Sequence, residues 1–153
     1  MNSSAGQFVA FTVAGQSFAM PLASVDRVVR MVEVTALPGG PEIVTGVIDL
    51  QGCVIPVFDI RKRFSLPPSP IKPSDQLIVV RTSARSISIP VDSVTGLITP
   101  KLGDVTHSEQ FAPGNPYVIG ATQVSGELTL IYDLEKFLSI DEESILDDAL
   151  GED

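Results

Sequence analysis

Apolar residues occur along the chain in short blocks, and Gly, Pro or small polar residues separate one block from the next. This pattern is typical of short strands joined by turns. It predicts ten strands, at residues 8–13, 17–21, 25–34, 45–50, 53–60, 76–81, 86–90, 94–98, 118–124 and 127–134. A single helical turn is predicted at residues 41–45. An acidic helix is predicted at residues 141–153, with Asp141 as its N-cap and a narrow apolar stripe of Ile145, Leu146, Ala149 and Leu150.

The sequence also repeats itself. Residues 46–64 align with residues 120–138, so that Gly46 matches Gly120 and Asp59 matches Asp133, and residues 18–25 align with residues 87–94. The first offset is 74 positions and the second is 69, which predicts a small insertion within residues 101–116. Matching Gly, Pro and Asp positions favour a duplication over chance similarity between Val-rich strands.

The duplication predicts one domain over residues 1–153, composed of two units. The first unit covers residues 7–64 and the second covers residues 76–138, and a proline-rich linker joins them at residues 65–75. Five strands are too few for a free-standing sandwich, so each unit is expected to curl into a small β-barrel. The predicted fold class is all-β, with two pseudo-symmetric five-stranded barrels around a shared core.

The segment GVIDLQGCVIPVFDI, residues 46–60, predicts a hairpin with a two-residue turn at Gln51-Gly52. Both of its faces are mostly apolar, whereas the equivalent hairpin around Ser125-Gly126 has one continuous apolar face. Two explanations stay open for the additional face: it packs against the second unit, or it binds a partner protein.

Charge and composition exclude several functions. The chain has 10 basic and 19 acidic residues and a net charge of −9, which disfavours binding to nucleic acid and to anionic lipid. A single Cys allows no internal disulfide and fits a reducing compartment. We find no signal peptide and no run of 18 apolar residues, so a cytoplasmic protein without membrane insertion is expected.

The residues that could support chemistry are few. Cys53 is expected to be an inert core thiol, and His107 is expected to lie in a surface loop. Asp59 and Asp133 each end a strand, where Asp commonly bonds the local backbone. A hydrolytic or small-molecule-binding barrel would need Asp59, Asp133 and His107 to converge. The sequence therefore predicts no catalytic residue, cofactor or metal.

Four segments together resemble the CheW-type adaptor of bacterial chemotaxis: residues 8–29, 35–64, 77–98 and 117–138. The resemblance extends over residues 7–148 and implies a pair of SH3-like barrels. It also implies a non-enzymatic adaptor with two partners. These are the cytoplasmic tip of a methyl-accepting chemoreceptor and the regulatory domain of a CheA-type histidine kinase, which has the same double barrel. Such an adaptor is recruited to membrane-associated receptor arrays.

The resemblance also implies where the receptor would bind. By position, the candidate receptor-binding residues are Val25, Arg27, Gln51 and Gly52. Simple core packing is the alternative for Val25, and a solvated surface charge is the alternative for Arg27. The hairpin tip in the family is usually Arg-Gly, and Gln51 lacks that charge. A second hypothesis is therefore a kinase-binding regulator of a non-flagellar pathway with altered receptor coupling.

Overall fold

The computed structural model describes residues 6–107, 118–132 and 140–151 of the 153-residue chain. Within these ranges the chain is mostly β-structure. The strands are β1 (Phe8–Val13), β2 (Gln16–Pro21), β3 (Val25–Arg30), β4 (Val44–Leu50), β5 (Cys53–Phe58), β6 (Gln76–Arg81), β7 (Ser86–Val91), β8 (Ser93–Ile98), β9 (Thr106–His107), β10 (Val118–Val124) and β11 (Glu127–Tyr132). The helices are α1 (Ile60–Arg63) and α2 (Ile140–Leu150), and 3-10 turns cover Leu22–Ser24 and Leu102–Asp104.

Each of the two sheets contains strands from both sequence repeats. The first sheet has the order β3-β6-β7-β5-β4, and the second has the order β8-β1-β2-β11-β10-β9. The β6–β7 hairpin of the second repeat therefore lies in the first sheet, and the β1–β2 hairpin of the first repeat lies in the second sheet. Apart from the two-residue β9, each sheet has five strands, which confirms the predicted pair of five-stranded SH3-like barrels. The expectation that each unit curls into a barrel of its own strands was wrong, because each sheet takes a hairpin from the other unit.

Equivalent strands of the two repeats pair in equivalent registers. Val57 of β5 lies opposite Ser88 of β7 in a parallel pair, and the equivalent residue Ile131 of β11 lies opposite Ala19 of β2, also in parallel. The antiparallel pairs β3–β6 and β8–β1 each contain a register shift at the same position of the repeat. The repeats thus exchange their first hairpins symmetrically, which the sequence alone left open.

Three apolar clusters stabilise this arrangement. The largest, which we call the shared core, joins both sheets and α2; its members are Val9, Phe11, Val13, Phe18, Met20, Ile43, Val44, Phe58, Ile60, Ile78, Val80, Ile87, Ile89, Val91, Tyr132 and Leu146. The core also contains packed aromatic rings. In the ring pairs formed by Phe11, Phe18, Phe64 and Tyr132, the ring centroids are 5.5–6.4 Å apart. Burial raises the pKa of the Tyr132 hydroxyl well above its ordinary value, so this ring stays neutral.

The first-barrel core explains the apolar excess of the hairpin at residues 46–60. It consists of Ile48, Leu50, Ile55, Val57, Leu77 and Val79, of which the last two belong to β6 of the second repeat. The opposite face of the hairpin places Phe58 in the shared core. The additional face is therefore buried within the molecule, against the other repeat, and the first of the two explanations is correct.

The second barrel has threonines where the first has isoleucines. Thr122 and Thr129 occupy the positions equivalent to Ile48 and Ile55, and both are buried. The Thr129 hydroxyl lies 2.8 Å from that of Ser17, and the Thr122 hydroxyl donates to the Asp104 carbonyl at 3.0 Å. These bonds satisfy the buried hydroxyls, as burial of polar groups requires. On this face of the twin hairpin, hydrogen-bonded threonines replace apolar residues. Only the other face is therefore continuously apolar.

Some predicted boundaries in the first repeat were wrong. β3 ends at Arg30 rather than at residue 34, and the chain rejoins the sheet where Thr35 exchanges two 2.8 Å backbone hydrogen bonds with Val47. In place of the helical turn predicted at residues 41–45, the chain makes one hydrogen-bonded turn, in which the Val44 amide donates to the Pro41 carbonyl at 3.0 Å, and β4 follows directly. Residues 65–75 contain no helix or strand.

The C-terminal helix exists, as predicted, but differs in detail. It begins at Ile140, so Asp141 lies in its first turn instead of capping it. Leu146 is fully buried, and Leu150 packs partly against the shared core, whereas Ile145 is 44% exposed. Ile145 was therefore wrongly included in the apolar stripe.

Candidate partner-binding site

Arg27 and Gln51, two of the four candidate residues, are in contact. Arg27 lies on β3 at one edge of the first sheet, and Gln51 lies at the tip of the β4–β5 hairpin at the other edge. The Arg27 Nη1 donates to the Gln51 Oε1 at 3.4 Å, and the Arg27 Nε lies 3.7 Å from an Asp26 carboxylate oxygen. The curled sheet thus brings its two edges together at this point.

A β-bulge lies between Val25 and Arg27 and changes the face of the sheet to which the side chains of β3 point. The register of β3 against β6 shifts between these residues. Bulges change the face to which the following side chains point. Val25 accordingly packs against the shared core, whereas Val29, four residues later, packs against the first-barrel core. Val25 is half-buried against the shared core, and its part in partner binding stays a prediction.

The turn at Gln51-Gly52 is tightly defined. Both residues have positive φ, 52° for Gln51 and 87° for Gly52, as in a type I′ turn. An Asp49 carboxylate oxygen accepts a hydrogen bond from the Gly52 amide at 2.9 Å. The equivalent turn, at Ser125-Gly126, has φ values of 52° and 83°. Gln51 is therefore presented on a rigid, exposed tip.

A groove of about 350 Å³ lies beside this contact, and we call it the tip groove. Its lining residues are Asp26, Arg27, Cys53, Val54, Ile55, Pro56, Val79, Arg81, Arg85, Ser86 and Leu150. Val54 is 63% exposed at its rim. Three arginines and several apolar side chains suit it to protein recognition, since Arg is enriched at such interfaces.

Sequence reasoning missed part of this groove. Arg81 and Arg85 belong to the second repeat and reach the groove because the β6–β7 hairpin is exchanged. Leu150 comes from the last turn of α2. Sequence spacing does not indicate that Arg81, Arg85 and Leu150 line this groove, because they reach it only through contacts between residues distant in sequence.

The second barrel has an equivalent exposed position. Leu128 is 61% exposed, and it corresponds to Val54 in the repeat alignment. It lines a wider opening of about 590 Å³ together with Asp104, Thr106, Ala121, Thr122 and Gln123. The two barrels thus expose one apolar side chain each at the same position of the repeat.

Three of the four residues considered for chemistry lie in different elements: Cys53 in β5, Asp59 at the start of α1 and His107 in β9. Cys53 is exposed, so the prediction of a core thiol was wrong; it pairs with Leu50 at the end of the hairpin, next to the turn. Asp59 caps α1, its carboxylate accepting from the Arg61 amide at 2.9 Å, as predicted. His107 lies in β9 instead of a loop, and Asp133 is outside the described residues.

Among residues 6–107, 118–132 and 140–151, no group of three or more His, Cys, Asp or Glu side chains could hold a metal ion. No helix in these ranges has the length and apolar character needed to cross a membrane.

Comparison with known proteins identifies relatives. The family model of the CheW-like domain matches residues 7–142. The chain is 23% identical over 145 residues to the chemotaxis protein CheW of Klebsiella aerogenes, covering 94% of this chain and 87% of that protein. It is 28% identical over 128 residues to protein FrzA of Myxococcus xanthus, covering 78% and 76%. The crystal structure of the scaffolding protein TtCheW from Thermoanaerobacter tengcongensis superposes with a TM-score of 0.80 at 23% identity, covering 93% of this chain and 96% of that one.

Proposed function

The chain belongs to the CheW-like domain family, and from this premise we propose that it is a non-enzymatic adaptor of a chemosensory array. In this role it connects the cytoplasmic tip of a methyl-accepting chemoreceptor to the regulatory domain of a CheA-type histidine kinase. It acts in the cytoplasm and is recruited to receptors at the membrane. The observation that carries the proposal is the family match over residues 7–142, together with relatives named as chemotaxis and scaffolding proteins.

The geometry of the two barrels supports a protein with two partners. Val54 and Leu128 are exposed at equivalent positions, each beside an opening in its own barrel. An adaptor needs two separate surfaces that can be occupied together. We assign the receptor to the tip groove, which lies beside the Arg27–Gln51 contact, and the kinase to a surface that leaves this groove free.

Calorimetric titration with the regulatory domain of the cognate kinase tests the adaptor function. We expect a dissociation constant in the micromolar range, about −8 kcal/mol, because repeated weak contacts in an array add avidity. A soluble fragment of the receptor tip should bind the preformed complex with unchanged affinity. Absence of binding to the kinase domain would rule out the adaptor function, and competition between the two partners would rule out separate surfaces.

A second function is favoured by Gln51 and by the relationship to protein FrzA. Here the chain binds the kinase of a non-flagellar pathway, and its receptor coupling is altered because the hairpin tip has no charge. Arg27 then supplies the only cation in the Arg27–Gln51 contact.

The variant Gln51→Arg separates the two functions. If coupling is altered by the missing charge, Gln51→Arg should strengthen receptor binding by about fivefold and leave kinase binding unchanged. Ser125→Arg is the matched control, since Ser125 has the same φ at the equivalent turn of the other barrel. Equal affinities of wild type and Gln51→Arg for the receptor tip would argue against the second function.

A further inference from the structure

Helix α2 is held by ion pairs to two arginines that are distant in sequence. The Arg63 Nη2 donates to a Glu142 carboxylate oxygen at 2.7 Å. The Arg85 Nη2 lies 3.5 Å from a Glu143 carboxylate oxygen and forms a closer contact with Asp147. We call these three ion pairs the clasp. Arg63 and Arg85 are only 14% and 13% exposed, so the clasp is better shielded from water than an ordinary surface pair.

The same side of α2 that forms the clasp also forms part of the tip groove. Glu143, Leu146, Asp147 and Leu150 lie at positions i, i+3, i+4 and i+7, so they share one face of the helix. Leu146 is buried in the shared core, and Leu150 both packs against that core and lines the tip groove. The groove wall at Leu150 can therefore be in place only while the helix is docked.

Helix α2 is short and docks through one face. The helix has 11 residues, a length at which an isolated helix is marginal in water. Among the described side chains of the helix, Leu146 is fully buried and Leu150 is half-buried against the shared core, and the clasp adds the ion pairs. Elements held in this way open without global unfolding.

We propose that α2 is a detachable wall of the tip groove: the clasp keeps it docked, and docking and partner binding at the groove reinforce each other. The docked form presents the complete groove, so a partner that contacts Leu150 binds it preferentially. By thermodynamic reciprocity, that partner must then stabilise docking. The coupling rests on the proposed receptor function, whereas the docking equilibrium does not.

Hydrogen exchange of the α2 amides in the free protein tests the clasp. The double variant Glu143→Gln/Asp147→Asn should accelerate exchange about fivefold or more, and Asp147→Asn alone should give part of this effect. Asp148→Asn is the matched control for the single variant. It removes the same charge from the adjacent position, and Asp148 is exposed and has no ion pair within the described part of the chain.

Salt provides a second readout of the clasp. Raising NaCl to about 0.5 M should accelerate α2 exchange in the wild type, because salt screens partly exposed ion pairs. The exchange rates of the wild type and the double variant should then become more similar. Equal exchange in wild type, double variant and Asp148→Asn would overturn the clasp.

Hydrogen exchange with a bound receptor-tip fragment tests the coupling. Saturation with the fragment should slow α2 exchange about fivefold or more relative to the free protein. Leu150→Ala should weaken the fragment's affinity about threefold or more, whereas Ile145→Ala, on the exposed side of the same helix, should not. Unchanged α2 exchange in the complex would overturn the coupling, and faster exchange would show that α2 opposes binding.

The two experiments fail in distinguishable ways. If the wild type binds no receptor-tip fragment, the proposed receptor function and the coupling fall together. The exchange comparison between Asp147→Asn and Asp148→Asn in the free protein still decides whether the clasp holds α2.

Discussion

Two glycines at equivalent positions of the repeats differ in how closely the backbone approaches them. A Cβ at Gly46 would lie 2.3 Å from the Thr35 carbonyl oxygen and 2.9 Å from a Val34 methyl carbon. At Gly120 the nearest atom would be the Thr106 carbonyl oxygen, at 3.1 Å. Gly46 lies where Thr35, in the segment after β3, pairs with β4. Backbone atoms there cannot move aside as a flexible side chain could. Both repeats have Gly at this position, but only at Gly46 does the backbone approach too closely for a Cβ.

Gly46→Ala should lower the free energy of unfolding by about 2–3 kcal/mol, because the added methyl must displace backbone. Gly120→Ala is the matched substitution and should cost less than about 1 kcal/mol, since a shift of a few tenths of an ångström relieves its contacts. Urea denaturation of both variants measures the difference. Equal losses would show that the crowding at Gly46 is relieved at no greater cost than at Gly120.

Single residues of the candidate site were predictable to different degrees. Arg27, Gln51 and Gly52 were selected from the resemblance, and the structure brings Arg27 into contact with Gln51 beside Gly52, while their role in binding a receptor stays a prediction. Val25 could not be separated from a core residue, because the bulge that turns it inward has no signature in the local sequence. Cys53 was wrongly predicted to be buried, because the apolar pattern of a strand does not show which of its residues neighbouring strands leave exposed.

At the scale of elements, hairpins were predictable because their information is local. Turn residues with positive φ sit between apolar runs at Gly15, Gly52 and Gly126, and each of these turns joins two strands as expected. The end of β5 was not predictable to the residue. Ile60 continues the apolar pattern of the strand, but Asp59 caps a helix that begins at Ile60. An apolar residue at this position is compatible with a longer strand and equally with the start of a helix.

The partners of each hairpin depend on packing and not on local pattern. β2 and β7 each join the far hairpin of the other repeat through a parallel pair, which no turn connects. Helix α2 was predictable from its apolar stripe, yet its binding to Arg63 and Arg85 was not. Those arginines follow β5 and precede β7, and only the assembled barrels bring them to one helix.

At the scale of the whole molecule, the exchanged hairpins make the two repeats depend on each other. Neither repeat contains a complete sheet: the first supplies three strands of its own sheet and two of the other, and the second does the reverse apart from β9. The shared core draws buried side chains from both repeats, and the first-barrel core requires Leu77 and Val79 of the second. Covering these surfaces needs both halves of the chain at once.

Residues 1–67 and residues 68–153, produced separately, should therefore each be unfolded, with poor amide dispersion in NMR spectra. Mixed in equal amounts, they should regain the dispersed spectrum of the intact chain, because each supplies the hairpin that the other lacks. The control is the full chain cut after folding within residues 68–72, where the structure has no helix or strand, and it should keep the native spectrum. A cooperative unfolding transition from either half alone would mean that a repeat can close its own barrel. The hairpin exchange would then be one of two accessible arrangements instead of a requirement of the fold.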